Sequence, residues 1–136
     1  MPGVIMIALL LIMSLRSLGV VEGYVGTVLD VQCSTAAGDG EATSRSIAAI
    51  TDSLVSGTEP GPPSAYLCVG PGRGDQLPDV WGWASCAEGI SKDECCHCLG
   101  GAQIGLLYYC PGKAGAHMYR QDCSLQYDSF AICTPK

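Results

Sequence analysis

Apolar side chains recur along this chain in three rhythms, and each predicts a different element. Ile5 to Leu15 is an unbroken apolar run apart from Ser14. Tyr24 to Cys33 (YVGTVLDVQC) alternates instead: Val25, Leu29, Val31 and Cys33 share one face, and Asp30 and Gln32 the other, which predicts a half-buried strand. Ser34 to Gly40 reads as a small-residue loop. Ile47, Ile50 and Leu54 then recur at spacings of three and four, predicting an amphipathic helix. Thr43 or Ser44 can cap it, it should run to about Val55, and Gly57 ends it. After a Pro/Gly-rich turn (Thr58–Pro63), Ala65–Val69 predicts a short strand and Val80–Cys86 (VWGWASC) a third, with Trp81 and Trp83 on one side. Ser91 and Glu94 form a capping box for a helix from Lys92 to about Tyr108, weakened by Gly100, Gly101 and Gly105. Ala116–Phe130 is extended with a bend inside. No repeat or linker interrupts this order, so the expected architecture is one small α+β domain.

The first run changes the picture of what the mature chain is. It is too short to span a bilayer, which takes roughly 20 residues, but it suits the apolar region of a secretory signal peptide. Val21-Glu22-Gly23 sets small residues where a signal peptidase reads, placing the cut before Tyr24. The expected organisation is therefore a leader, 1–23, and a mature domain, 24–136. Met1–Val4 departs from the pattern in having no Lys or Arg, and an uncleaved anchor is the competing reading. No second apolar run exists, so no membrane span is expected after cleavage. Seven basic against thirteen acidic side chains, with the basic ones scattered, exclude nucleic acid as an expected partner. The sequence has no Asn and hence no N-glycosylation site.

All nine cysteines fall in the mature region, a density typical of a disulfide-stapled secreted scaffold. Four of them crowd into Cys86–Cys98 (CAEGISKDECCHC). A zinc site needs a second ligand pair, to be drawn from Cys68, Cys110 or Cys123 with only His97 and His117 to assist, and an oxidising compartment works against it. A redox site would use Cys95 and Cys98 as a C-x-x-C pair near a capped helix start, where thiol pKa falls. Such motifs normally stand in a cysteine-poor fold. The structural reading fits better: Cys95 and Cys98 project from roughly one helix face and can staple that helix to neighbouring segments, whereas Cys96, about 100° away, needs another partner. No metal or cofactor is expected.

The spacing Cys86-x8-Cys95-x2-Cys98 resembles the signature of the plant ginkbilobin-like domain, found in antifungal seed proteins, cysteine-rich secretory proteins and ectodomains of cysteine-rich receptor-like kinases. Eleven residues from Cys98 to Cys110 and twelve from Cys110 to Cys123 are similar to the family's spacings. Pro78–Cys86, Gly115–His117 and Asp122–Asp128 resemble its strand before the motif and its closing segment, so the likeness covers about residues 25 to 130. The resemblance implies two helices packed on a twisted antiparallel sheet of about five strands, with disulfides Cys33–Cys110, Cys86–Cys95 and Cys98–Cys123. Cys68, Cys96 and Cys133 depart from the pattern. The expected fourth bridge joins Cys68 to Cys133 and leaves Cys96 over, Cys96–Cys133 being the competing pair.

Antifungal members of that family bind mannose through an Asn, an Arg and a Glu, and the matching positions here are Ser34, His117 and Asp128, none identical. A hydroxyl, an imidazole and a shorter carboxylate offer fewer or differently placed hydrogen bonds, so the expected sugar site is altered. His117, with a reference pKa of about 6.5, could become more Arg-like in an acidic cell-wall space. His117 and Asp128 can meet only if their segment folds back. Arg73–Asp75 (RGD) in a Gly-rich loop is best explained by coincidence, and the Trp81/Trp83 face by packing. The implied role is a secreted, non-enzymatic defence or stress protein of the apoplast, binding a mannose-containing or other cell-wall glycan. The alternatives are a non-lectin partner of receptor ectodomains and a thiol–disulfide oxidoreductase.

Overall fold

The computed structural model describes residues 28–38, 40–71 and 78–135. The expected leader, Tyr24–Thr27 and the Arg73–Asp75 tripeptide lie outside the described residues. The elements run β1 (Val28–Cys33), α1 (Glu41–Gly57), β2 (Leu67–Val69), β3 (Trp81–Cys86), α2 (Lys92–Tyr109), β4 (Ala116–Arg120) and β5 (Cys123–Asp128). The strands form one antiparallel sheet in the order β1-β4-β5-β3-β2, the two-helix, five-strand α+β architecture that the resemblance implied. Among the described residues, no helix is long and apolar enough to cross a membrane.

Alternation within β3, β4 and β5 divides the sheet into two faces. Gly82, Ala84, Cys86, Ala116, Met118, Cys123, Leu125 and Tyr127 are buried, and most of them form one core with Ile47, Ile50 and Leu54 of α1 and Leu99, Ala102 and Leu106 of α2. Both helices therefore cover the same side. The glycines that weaken α2 as an isolated helix permit its closeness to the sheet. A Cβ on Gly105 would collide with the Met118 side chain, and one on Gly101 with the Arg120 guanidinium, whose Nη1 donates to Cys98 O at 2.9 Å. The Ser91 cap forms as expected, its Oγ accepting from the Glu94 amide at 3.0 Å. Gln103 ties the helices together by donating to Thr51 Oγ1 and Asp52 Oδ1, both at 2.7 Å.

Three local expectations need correction. In β1, Val28 pairs with Arg120 and Asp30 with Tyr119, so Leu29 is an extra residue in a bulge. Val28 and Val31 pack on the core and Leu29 is 71% exposed, opposite to strict alternation. Helix α1 starts at Glu41, not after a Thr43 or Ser44 cap. Gly40, at φ 66°, turns the chain straight into the helix, and Ser44 Oγ bonds back to Gly40 O at 3.1 Å from inside the first turn. Strand β2 begins at Leu67 because the Ala65 amide closes a turn on Pro62 O at 2.8 Å.

Four disulfides complete the fold: Cys33–Cys110, Cys68–Cys133, Cys86–Cys95 and Cys98–Cys123. Three of them anchor α2 and its C-cap to β1, β3 and β5. Cys33–Cys110 spans a sequence separation of 77, so in the chain-entropy picture its loss costs about 4 kcal/mol. Urea unfolding of the Cys33→Ala/Cys110→Ala protein checks this; a loss below about 1 kcal/mol would place the stabilisation elsewhere.

Candidate functional site

The face turned away from the helices carries the polar and aromatic side chains of the strands. Cross-strand pairing arranges them in rows, since residues directly opposite share a face. One row runs Gln32, His117, Gln126, Trp83; the next runs Asp30, Tyr119, Ser124, Ser85. Asp128 pairs with Trp81, two residues further along β5 and β3, and lies beside Gly115. The β4–β5 hairpin supplies the fold-back that His117 and Asp128 required: His117 faces Gln126, two residues before Asp128.

Ser34, the residue after β1, joins this corner. Its amide donates to Gly115 O at 2.8 Å, so Ser34 and Asp128 flank the same glycine. A Cβ at Gly115 would stand 2.7 Å from the Asp128 carboxylate, so the glycine leaves the space that the carboxylate fills. Asp128 Oδ1 accepts from the Ser129 amide at 2.8 Å, and Ser34 Oγ accepts from the Ala36 amide at 3.1 Å. Oδ2 of Asp128 is left as an acceptor and the Ser34 O–H as a donor. The three residues singled out in the sequence thus share one corner of one face.

His117 is the centre of an aromatic run. Its ring lies 3.8 Å from that of Tyr119 and meets Trp83 edge-on at 6.0 Å; Tyr66 lies 6.0 Å beyond Trp83. Nε2 and Ser124 Oγ share a hydrogen bond of 2.7 Å. Burial pushes the His117 pKa below its ordinary value, and the nearby Asp30 charge only partly offsets this. The imidazole is therefore harder to protonate than a free one, which argues against its becoming Arg-like in a mildly acidic space.

One feature of this face carried little signal in the sequence. Cys68 pairs across from Trp83, so its bridge to Cys133 lays the C-terminal segment over the β2–β3 side of the open face. Cys133 Sγ lies 3.5 Å from Gly82 O, and a Cβ on Gly70 would touch both Pro135 and Trp81. The Cys68–Cys133 bridge and the unpaired Cys96 are as the sequence led one to expect; the place of the strap beside the tryptophans is not. Cys95 and Cys98 belong to separate bridges rather than to one C-x-x-C pair, and among the described residues no group of three or more His, Cys, Asp or Glu is arranged to hold a metal.

The family model described as salt stress response/antifungal, the ginkbilobin-like domain, matches residues 32–129. The chain belongs to that family. Two solved structures share its fold. One is the tandem DUF26 ectodomain of the Arabidopsis thaliana cysteine-rich receptor-like protein PDLP5 (TM-score 0.66, 17% identity), covering 77% of this chain and 51% of that one. The other is the corresponding tandem ectodomain of PDLP8 (TM-score 0.65, 15% identity), with the same coverage. The chain thus spans about half the length of each tandem ectodomain. No curated protein matches the sequence significantly. At these identities the two ectodomains establish the fold alone.

The lowered His117 pKa has a consequence for this family member's stability. The native state favours the neutral ring, so this contribution is present above the unfolded value of about 6.5 and is lost as pH falls through the lower folded value. Urea midpoints at pH 7.5 and pH 5 should differ more for the parent protein than for His117→Gln. An equal difference in both would show that the ring titrates normally.

Proposed function

We propose that this chain is a secreted, non-catalytic recognition module of plant defence or stress responses, whose open sheet face binds a cell-wall carbohydrate through an altered mannose-type site. The observation that carries this reading is the convergence of Ser34, His117 and Asp128 around Gly115, bordered by Trp81, Trp83 and Tyr119. Sugar recognition needs fixed polar partners beside an aromatic surface that accepts the apolar side of a ring. The carboxylate supplies acceptors and the hydroxyl and imidazole supply donors, while the rings supply the surface.

Substituting Ser, His and Asp for the family's Asn, Arg and Glu removes bidentate donors and draws the carboxylate back by one methylene. The preferred sugar should therefore differ from plain mannose. Four disulfides suit an oxidising, extracellular setting such as the apoplast. We assign the module no cofactor and no catalytic step. The second reading, an apoplastic partner of receptor ectodomains, is favoured by the fold it shares with PDLP5 and PDLP8.

A glycan array on oxidised protein discriminates the two. Carbohydrate reading requires at least one plant or fungal wall glycan to bind, with affinity falling about tenfold or more in Asp128→Ala, the loss of a charged hydrogen bond. The triple variant S34N/H117R/D128E should gain mannose binding. Silence of both the parent and the triple variant would end the sugar reading and leave the protein-partner one.

A further inference from the structure

The outward side of α2 has the opposite character to that of an ordinary surface helix. Charged residues occur only in its first turn, at Lys92, Asp93 and Glu94; from Cys95 to Tyr109 there is none. Its inner side buries Cys95, Leu99, Ala102 and Leu106. Its outer side exposes Ile104 (66%), Leu107 (63%) and Tyr108 (77%), and Tyr109 is also exposed. A helix apolar on both sides is normally buried on both sides. Beside these residues runs a groove of about 380 Å³, lined by Val28, Gly101, Ile104, Gly105, Tyr108, Tyr109 and Arg120.

Cys96 lies on this same outer side. Helical spacing sets it in line with Gly100, Ile104 and Leu107, and it is exposed and unpaired while the other eight cysteines are oxidised. Nothing stands within 4 Å of where a Gly100 Cβ would be, so the helix backbone is open to approach between Cys96 and Ile104.

We propose that this face is the contact between two copies of the chain, related by a two-fold axis along α2 and locked by a Cys96–Cys96 disulfide. A second copy fits this surface better than an unlike partner. It presents an identical surface with no charged residue on the helix from Cys95 to Tyr109, so in a protein of net charge −6 the pairing sets like charges against each other only at the first turn, where Asp93 meets its copy. It supplies the one thiol that makes the cysteine count even. The three exposed apolar side chains of this face, Ile104, Leu107 and Tyr108, offer on the order of 400 Å², and the flanking Cys96, His97, Gly100 and Gln103 extend the patch towards the ~800 Å² that a standard interface takes from each partner.

The arrangement follows from helix geometry. An antiparallel pairing centred on Cys96 would carry Ile104 about 12 Å along the axis, past the start of the partner helix. Only a parallel, in-register pairing covers Ile104 and Leu107 while bringing Cys96 to its copy. The cross-link forms by exchange with a low-molecular-weight disulfide such as oxidised glutathione. One Cys96 thiolate attacks it, forming a mixed disulfide and releasing one glutathione thiol. The second Cys96 thiolate then displaces the other glutathione. Two protein thiols are oxidised and one disulfide is reduced, with two protons passing to the glutathione thiols. The helices lie on the far side of the sheet from the Ser34, His117 and Asp128 corner, so pairing leaves both corners open.

Full-length oxidised protein, incubated with oxidised glutathione, is read by sedimentation equilibrium and by non-reducing electrophoresis with peptide mapping. The expected results are a species of twice the chain mass, a Cys96–Cys96 peptide, and cross-linking at least tenfold slower in Ile104→Glu. Cys96→Ser should retain a non-covalent dimer that Ile104→Glu, combined with it, weakens at least tenfold. Ile104 is exposed, so an unchanged urea midpoint confirms that this variant still folds. A monomer with Cys96 capped by glutathione, or cross-linking indifferent to Ile104→Glu, overturns the proposal.

Discussion

Covalent attachment of α2 to three strands is the constraint on which the rest of this molecule depends. Cys95 joins its first turn to the end of β3, Cys98 its second turn to β5, and Cys110 its C-cap to the end of β1. The helix needs such help: three glycines lower its intrinsic stability by roughly 1 kcal/mol each relative to Ala. Once pinned, it can use those glycines. Gly101 and Gly105 let β4 press Arg120 and Met118 against the helix backbone, a closeness that any larger residue would prevent. The bridges and the glycines form one solution: the first hold the helix at a separation that the second make sterically feasible.

The consequence is a division of labour between the two sides of the sheet. The helix side contains the core and the sulfur atoms that join α2 to β3 and β5. The other side contributes less to folding, and there the corner of Ser34, His117 and Asp128 is assembled by backbone pairing rather than by packing. Its positions are set by ladder register, by the amide of Ser34 on Gly115 and by the space that Gly115 leaves for a carboxylate. Side chains in that corner can therefore change without disturbing the core. The Cys68–Cys133 bridge is the exception, since it brings sulfur and the C-terminal segment to the open side.

Much of this architecture was legible because several signals agreed. Strict alternation through β3 and β5, the Ser91 cap and the three-and-four spacing of Ile47, Ile50 and Leu54 all reflect one side facing a core. The signals that misled were local ones overridden by neighbours. Leu29 falls on the apolar beat of β1, yet a bulge against Arg120 and Tyr119 shifts the register and turns it outward. Thr43 and Ser44 look like caps, but Gly40 already makes the turn. The candidate corner could be named only by resemblance, since two side chains eleven positions apart in sequence have no fixed distance until the hairpin is known. The burial that lowers the His117 pKa was beyond the sequence for the same reason: Trp83 reaches it from a strand more than thirty residues away.

Both tryptophans of the chain, Trp81 and Trp83, are on the open side of the sheet, while the core between sheet and helices contains none. Indole emission from this protein therefore arises wholly from the open face of the sheet. A molecule settling on that surface shifts the spectrum directly, whereas rearrangement beneath the helices is nearly silent at the same wavelength. The fold has in effect labelled one of its two sides optically, so ligand titrations need no added fluorophore.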